Sequence, residues 1–184
     1  AEFTRDIEPG EIVVIDQEGV HSSYYAKAVQ KRLCAMEYIY FSRPDSDLDG
    51  LNVHAARKAC GQVLAREAYV EADIVVGVPD SSLSAAYGYA QASGIPYEMG
   101  MIKNKYSGRT FIEPSAALRE KGVKMKLSPV RSIVKGKRVI LIDDSIVRGT
   151  TSKNLVSMLK QMGALEVHMR IASPPIIAPC FYGV

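Results

Sequence analysis

The sequence has few cysteines, no long apolar stretch and little net charge, and each shortage argues against a class of protein. Its 184 residues contain three cysteines at wide spacing, an odd number that argues against the disulfide framework of a small secreted protein. No apolar run approaches the roughly eighteen residues that a membrane-spanning helix needs, and the first residues lack the plan of a signal peptide. A formal net charge of +3 gives no reason to expect a nucleic-acid partner. We therefore expect a cytoplasmic protein that binds neither membranes nor nucleic acids.

What is present is typical of a globular domain with a substantial core, since 47% of the residues are hydrophobic. Short apolar runs alternate along the chain with helical patterns. Because apolar strands joined by helices are typical of a parallel sheet covered on both faces, we predict an α/β fold. The strands are predicted at Glu11–Ile15, Ile74–Val78, Ile95–Ile102, Arg138–Ile142 and Glu166–Ala172.

Apolar residues at helical spacing predict three helices and the faces that they bury. The third helix is expected to end at Gly163, a residue that commonly terminates helices. The predicted buried faces are Val53, Ala56, Cys60, Val63 and Leu64 in the first helix, Leu83, Ala86, Tyr87 and Ala90 in the second, and Leu155, Met158, Leu159 and Met162 in the third.

A group of polar residues follows the predicted strand that ends at Ile142. Asp143 and Asp144 come directly after it, and a short loop leads into the third helix. The two carboxylates can accept hydrogen bonds from ribose hydroxyls, and the N–H groups of the loop and helix N-terminus favour a phosphate. The alternative is that Asp144 and Thr151 only cap the helix. Further hydroxyl groups come from Ser145, Thr150 and Thr151.

A second polar turn follows the predicted strand at Ile74–Val78. Asp80, Ser81 and Ser82 lie between this strand and the next helix. Serine hydroxyls and helix N-terminal N–H groups form a second candidate anion site. The alternative is an ordinary serine cap at Ser81 or Ser82.

Seven basic and only two acidic residues lie between Lys103 and Lys126. Such a charge run is often a solvated surface. The functional interpretation is a cationic lid that closes over an anionic ligand, excludes water and offsets the charge of a leaving group.

The segment VILIDDSIVRGTT, from Val139 to Thr151, resembles the phosphoribosyl-pyrophosphate signature of type I phosphoribosyltransferases. Its Ile-Val-Arg triplet is similar to that of the amidophosphoribosyltransferase family. The resemblance covers essentially the whole chain and implies a type I phosphoribosyltransferase fold, with a mostly parallel sheet, flanking helices and a flexible lid loop. The other matching segments are EYIYFSRPDS (Glu37–Ser46), GVPDSS (Gly77–Ser82), KNKYSGRTFI (Lys103–Ile112) and SPPIIAPCFYG (Ser173–Gly183).

The resemblance implies a binding site for phosphoribosyl pyrophosphate. It implies a magnesium ion at Ser81, Asp143 and Asp144, and catalytic roles for Lys103, Tyr106 and Arg109 in the lid. The residues that it implies in substrate binding are Asp80, Ser81, Ser82, Asp143, Asp144, Ser145, Ile146, Val147, Arg148, Gly149, Thr150 and Thr151.

The resemblance also implies a reaction. Ammonia derived from glutamine displaces pyrophosphate from phosphoribosyl pyrophosphate to give 5-phosphoribosylamine, the first step of de novo purine (IMP) biosynthesis. In this family a separate upstream glutaminase domain with a cysteine nucleophile supplies the ammonia. We expect residues 1–35 to be the tail and linker of that domain, and residues 36–184 to be a phosphoribosyltransferase domain that lacks its C-terminal part. The chain itself would then lack the glutaminase nucleophile.

Three further properties are implied for the full-length protein. These are a homo-oligomeric assembly, inhibition by purine nucleotides and, in some members, a 4Fe–4S cluster. Cys34 and Cys180 fall where two of the four cluster ligands are expected, and we interpret Cys60 as a buried helix residue.

Two other functions are compatible with the acidic loop. A purine or pyrimidine salvage phosphoribosyltransferase would share this loop but would also need a base pocket, and the RTFI part of the lid argues against it. A non-catalytic regulator that only senses phosphoribosyl pyrophosphate would be marked by a lost lid or an added DNA-binding segment, and the sequence shows neither sign.

Overall fold

The structure is a computed structural model that describes residues 3–26, 30–104, 127–178 and 180. The chain divides into two compact units, Ala1–Cys34 and Ala35–Val184. The first unit contains an antiparallel hairpin of β1 (Glu11–Asp16) and β2 (Gly19–Tyr24). Its turn is closed by the Asp16 carboxylate, which accepts hydrogen bonds from the main-chain N–H groups of Glu18 and Gly19. The strand predicted at Glu11–Ile15 is therefore confirmed.

The second unit begins with a π-helical turn and continues with alternating strands and helices. Its elements in chain order are the π-helical turn (Glu37–Phe41), β3 (Asp47–Leu48), β4 (Leu51–Asn52), α1 (Val53–Glu67), β5 (Ile74–Gly77), α2 (Leu83–Ser93), β6 (Met101–Lys103), β7 (Leu127–Pro129), α3 (Arg131–Val134), β8 (Arg138–Asp143), α4 (Thr150–Gln161) and β9 (Glu166–Ile171).

The central sheet has the order β5–β8–β9, with all three strands parallel. Successive residues of a strand point to opposite faces, so each strand serves two apolar cores. Val76 and Leu141 pack with Leu155 of α4 on one face. On the other face, Ile140 packs with the fully buried Tyr89 of α2. The α/β fold with helices on both faces of a parallel sheet is thus confirmed.

The strand predicted at Ile95–Ile102 is wrong over most of its length. Only Tyr97 makes an isolated parallel bridge, to Val75 of β5, and the chain then leaves the central sheet. Met101–Lys103 instead form β6, which pairs antiparallel with β7. Pro96 has no N–H group with which to extend a ladder, which is one physical reason for the short pairing.

The faces predicted for α1 and α2 are partly wrong. In α1 the buried residues follow the stripe Val53, Arg57, Gly61 and Ala65, whereas Cys60 is exposed. The interpretation of Cys60 as a buried residue was therefore incorrect. Glycines draw the two helices together, so small side chains rather than the largest apolar ones define the contact.

Tyr87 of α2, also predicted to be buried, is 48% exposed, and Tyr89 takes the interior position. The face predicted for α4 is confirmed for Leu155, Met158 and Leu159, which are all buried. The α1 helix has fifteen residues, and no helix within the described residues is long and apolar enough to cross a membrane.

Candidate functional site

Two polar loops meet at the carboxyl edge of the sheet. One connects β5 to α2 through residues 78–82, and the other connects β8 to α4 through residues 144–149. Because β5 and β8 are adjacent and parallel, their ends lie at the same edge. The Ser82 hydroxyl donates a hydrogen bond of 3.1 Å to the Asp143 carboxylate and so joins the two loops. The structure therefore brings together two groups of residues that are 61 positions apart in the sequence.

Asp143 and Asp144 are both buried, with 8% and 7% of their surface exposed. Asp143 accepts hydrogen bonds from Ser82 and from the main-chain N–H of Asp144 at 3.0 Å. Burial and the neighbouring charge of Asp144 nevertheless raise the pKa of Asp143 to about 6. Two carboxylates held side by side in this way form a site where a cation or a ribose hydroxyl is favoured.

The helix-capping alternative fails at both loops. Ser82 is the N-cap of α2, but it makes no side-chain cap and its hydroxyl is directed to Asp143. The N-cap of α4 is Gly149, with φ of 71°, and this residue has no side chain that could cap the helix. The Asp144 carboxylate instead accepts a hydrogen bond of 2.6 Å from the Ser145 hydroxyl. The polar groups of these loops are thus available for purposes other than helix capping.

The far end of the second loop is open to solvent. Thr150 and Thr151 are exposed in the first turn of α4, while Ser145 and Gly149 are half-buried. The first N–H groups of an α-helix have no partner within the helix, which makes this position suitable for a phosphate. The exposed loop residues are Ile146, Val147 and Arg148.

A cleft of about 400 Å³ adjoins the first loop. The peptide bond between Pro79 and Asp80 is cis. The ammonium group of Lys103, at the end of β6, lies 2.6 Å from the Asp80 carboxylate, and both side chains are more than half exposed. The residues that line the cleft are Tyr40, Phe41, Ser42, Arg43, Pro44, Arg57, Pro79, Asp80, Ser81 and Lys103.

The structure does not test the roles predicted for four site residues. Tyr106 and Arg109 lie outside the described residues, as does the rest of the basic segment from residue 105 to residue 126. Cys34 and Cys180 are both exposed and belong to different units. The roles assigned to these four residues stay predictions.

Seven of the ten residues that line the cleft have no role predicted from the sequence, among them Arg57, Tyr40 and Phe41. Arg57 is only 5% exposed, although it is charged. Arg57 lies four residues after Val53 and four before Gly61, on the stripe of α1 that is buried, but the spacing of apolar residues did not predict this stripe. A basic residue on a buried helical stripe indicates a specific partner.

The model of the family described as "Phosphoribosyl transferase domain" matches residues 52–172, a range that contains both loops and the sheet that carries them. The chain therefore belongs to the phosphoribosyltransferase family. The names of its curated relatives indicate a narrower group within this family. Amidophosphoribosyltransferases from Bacillus subtilis, Staphylococcus aureus and Mycobacterium bovis are 62%, 58% and 55% identical to it over the whole chain.

The similarity extends to solved structures. The glutamine phosphoribosylpyrophosphate amidotransferase of B. subtilis, in complex with ADP and GMP, matches 98% of this chain with a TM-score of 0.84 and 62% identity. The match covers 40% of that structure's chain. Likewise, this chain spans 39%, 37% and 35% of the three curated relatives. The type I phosphoribosyltransferase fold predicted from the sequence is confirmed.

Proposed function

We propose that this chain carries the phosphoribosyl-transfer site of an amidophosphoribosyltransferase. In this reaction ammonia attacks the anomeric carbon of phosphoribosyl pyrophosphate. A carbon–nitrogen bond forms, the bond to the pyrophosphate oxygen breaks, and pyrophosphate leaves with the electron pair. Loss of a proton from nitrogen completes 5-phosphoribosylamine, the product of the first step of de novo purine (IMP) biosynthesis.

The observation that carries this proposal is the hydrogen bond between Ser82 and Asp143. It joins a buried acid pair, suited to ribose hydroxyls, to a loop suited to a pyrophosphate group. The helix N-terminus behind the second loop is suited to the 5-phosphate. Asp80, Ser81 and the loop from Ser145 to Thr151 would complete the contacts to substrate.

The residues at the acid pair also fit a magnesium ion. Asp143 and Asp144 offer hard oxygen ligands, and burial and the neighbouring charge of Asp144 raise the pKa of Asp143, effects that a bound cation would offset. Ser81 is the third proposed ligand. Among the described residues no group of three or more His, Cys, Asp or Glu side chains could hold a metal ion. We propose that oxygens of the substrate and water supply the other ligands, which suits magnesium. When bound, magnesium would neutralise part of the charge on the departing pyrophosphate.

The protein's own task is to position ammonia and exclude water, because ammonia is already a nucleophile. Lys103 lies beside Asp80 at the cleft, where its positive charge would help to hold the leaving group. We propose that Tyr106 and Arg109 act with it as parts of a lid over the bound substrate. A salvage phosphoribosyltransferase is less favoured, since the curated relatives named above are amidophosphoribosyltransferases.

The remaining parts of the proposal concern the whole protein. We propose that residues 1–35 are the tail of a glutaminase domain that supplies ammonia from glutamine, and that the protein is a cytoplasmic homo-oligomer. The B. subtilis structure contains ADP and GMP, which supports purine nucleotides as inhibitors here.

The chain has three cysteines, so a four-thiolate cluster that uses Cys34 and Cys180 is incomplete within it. Iron analysis of the full-length protein would test the cluster.

The activity can be tested by measuring pyrophosphate release from phosphoribosyl pyrophosphate and magnesium. Ammonium chloride and glutamine are compared as nitrogen donors. We expect release with ammonium but not with glutamine, and a loss of at least about 100-fold in the double variant Asp143→Asn, Asp144→Asn. The control is Asp6→Asn, Glu18→Gln, which removes the same charge from exposed residues of the first unit.

Two results would contradict the proposal. If the wild-type chain binds phosphoribosyl pyrophosphate but releases pyrophosphate with neither donor, the regulator becomes the better explanation. If the acid-pair variant and the control retain the same activity, the acid pair is not the site.

A further inference from the structure

An aromatic segment lines the cleft together with the Asp80 loop. Tyr40 and Phe41 are 53% and 49% exposed, and their rings meet edge to face with centroids 5.8 Å apart. The following residues, Ser42 to Pro44, continue the same lining. We call residues 37–44 the wall segment.

The wall segment has little internal support. Its helical part is a single π-helical turn of five residues with no buried residue, closed by the hydrogen bond from the Ser42 N–H to the Glu37 carbonyl. A π-helix is rare and makes few hydrogen bonds of its own, so a turn of this length depends on contacts from outside. The Tyr38 hydroxyl provides one by donating to the Leu48 carbonyl at 2.7 Å.

The main external contact is the guanidinium of Arg57. Its Nε donates to the Tyr38 carbonyl at 2.6 Å and its Nη2 to the Ser42 carbonyl at 2.9 Å. A longer contact of 3.4 Å reaches the Glu37 carbonyl. The guanidinium fork therefore holds both ends of the turn at once, which a single ammonium group could not reproduce.

Burial of a charged guanidinium is costly unless it is well compensated. In the described part of the chain, the groups that accept hydrogen bonds from Arg57 are all main-chain carbonyls of the wall segment. Arg57 lines the cleft and also a small cavity of about 40 Å³ that Ser81 and Asp144 line as well. This residue is therefore close to both the wall segment and the acid pair.

We infer that Arg57 is a positioning residue for phosphoribosyl transfer: it holds the wall segment at the distance from the Asp80 loop at which the cleft admits the nitrogen nucleophile and excludes water. The inference rests on the proposed function. Arg57 contacts main-chain atoms of the wall segment, and side chains of the wall segment line the cleft. The rigid base for this contact is α1, which the close α1–α2 packing anchors in the core.

The first test measures how far solvent reaches the wall segment and does not depend on activity. The chain contains no tryptophan, so Phe41→Trp gives one fluorescent reporter in the wall segment. In this background we compare Arg57→Met with Arg66→Met, an exposed arginine on the same helix. We expect the acrylamide quenching constant of the introduced indole to rise about twofold or more with Arg57→Met and to stay unchanged with Arg66→Met.

The second test measures the consequence for the reaction. Pyrophosphate release is followed with and without ammonium, in the natural background that retains Phe41. For Arg57→Met we expect kcat with ammonium to fall about 10- to 100-fold, while KM for phosphoribosyl pyrophosphate changes less than about threefold. The fraction of release that needs no ammonium should rise, because water now reaches the anomeric carbon.

The variants separate this role from a general structural one. A protein that is merely destabilised would lose ammonium-dependent and ammonium-independent pyrophosphate release in proportion. The ratio of the two rates would then stay the same. Arg57→Lys keeps the positive charge but lacks the forked guanidinium, so we expect it to restore the quenching constant and the ratio of the two rates only in part. If Arg57→Met does not fold, Arg57→Lys is used for the test in its place.

Unchanged quenching of the indole reporter in both Arg57 variants would overturn the inference. If quenching changes as expected but no variant and no wild-type chain releases pyrophosphate, the proposed function has failed and the contact of Arg57 with the wall stands alone. If quenching changes but the ammonium-independent fraction does not, Arg57 supports the fold of the turn without positioning the reaction, and the inference is wrong.

Discussion

At the scale of single residues, Asp143 shows how a residue of the candidate site lowers the stability of the protein that carries it. The carboxylate is buried at the end of β8 beside a second carboxylate, and two hydrogen bonds do not fully offset these two effects. The pKa of Asp143 is therefore raised to about 6 from an ordinary value of 3.8. A carboxylate placed only for stability would show a shift in the opposite direction.

This shift predicts how stability depends on pH in the absence of metal and substrate. The folded state holds the Asp143 proton more tightly than the unfolded state, so its stabilising effect is complete below about pH 4 and is lost as pH rises through about 6. The variant Asp143→Asn cannot ionise. We expect its free energy of unfolding to be about 1–3 kcal/mol higher than that of the wild type at pH 8, with little difference at pH 4.

Urea unfolding at both pH values, in the presence of a chelator, measures this difference. The same variant should be inactive, so the gain in stability and the loss of activity would come from one substitution. A wild type that is as stable as the variant at pH 8 would show that the cost of burying the charged carboxylate beside Asp144 is offset by other contacts.

At the scale of elements, the crossing of α1 and α2 determines where Arg57 lies. Gly61 and Gly88 bring the two helix backbones into direct contact. A Cβ atom added at Gly61 would lie 1.9 Å from the Ala85 carbonyl oxygen, and one at Gly88 would lie 2.0 Å from the Lys58 carbonyl oxygen. The crossing thus tolerates no side chain at either position without movement of the backbone.

The substitution Gly61→Ala tests this crossing. Alanine favours a helix over glycine by about 1 kcal/mol, but overpacking against a fixed backbone costs about 1–3 kcal/mol and here involves a severe overlap. We expect the cost of the overlap to exceed the gain in helix propensity, with a net fall of about 2 kcal/mol in the free energy of unfolding. Chemical denaturation measures it, with the exposed neighbour Cys60→Ala as the control that should change little. A stabilised Gly61→Ala variant would mean that the helices separate easily.

At the scale of the whole molecule, the core belongs to the second unit. Both apolar clusters consist of residues from the second unit, and the first buried apolar residue along the described chain is Val53. The hairpin of the first unit instead leaves apolar side chains such as Ile15 and Val20 exposed. Among the residues that the structure describes, the first unit therefore contributes no side chain to the two clusters that support the site.

This division predicts that removal of residues 1–34 leaves the site intact. We expect the melting temperature of the remaining chain to stay within about 2 °C of that of the whole chain, and its affinity for phosphoribosyl pyrophosphate to be unchanged. Differential scanning calorimetry and a binding titration measure the two quantities. A large drop in either would show that the hairpin stabilises the second unit.

The sequence by itself determined the α/β class, the strands β5, β8 and β9, and the two loops in which polar residues interrupt apolar runs. These features are local: apolar runs, helical spacing and the VILIDDSIVRGTT segment can be identified without any knowledge of distant contacts. The resemblance to phosphoribosyltransferases rested on the same local segments, and the family match confirms it.

Only the tertiary structure decided the features that depend on residues far apart in the chain. Ser82 donates to Asp143 instead of capping α2, Tyr89 rather than Tyr87 enters the core, and Arg57 is buried against the wall segment. The physical reason is the same in each case. The partner of each side chain is set by how the helices and strands pack, and the helical period alone cannot distinguish a small residue at a close crossing from one that faces solvent.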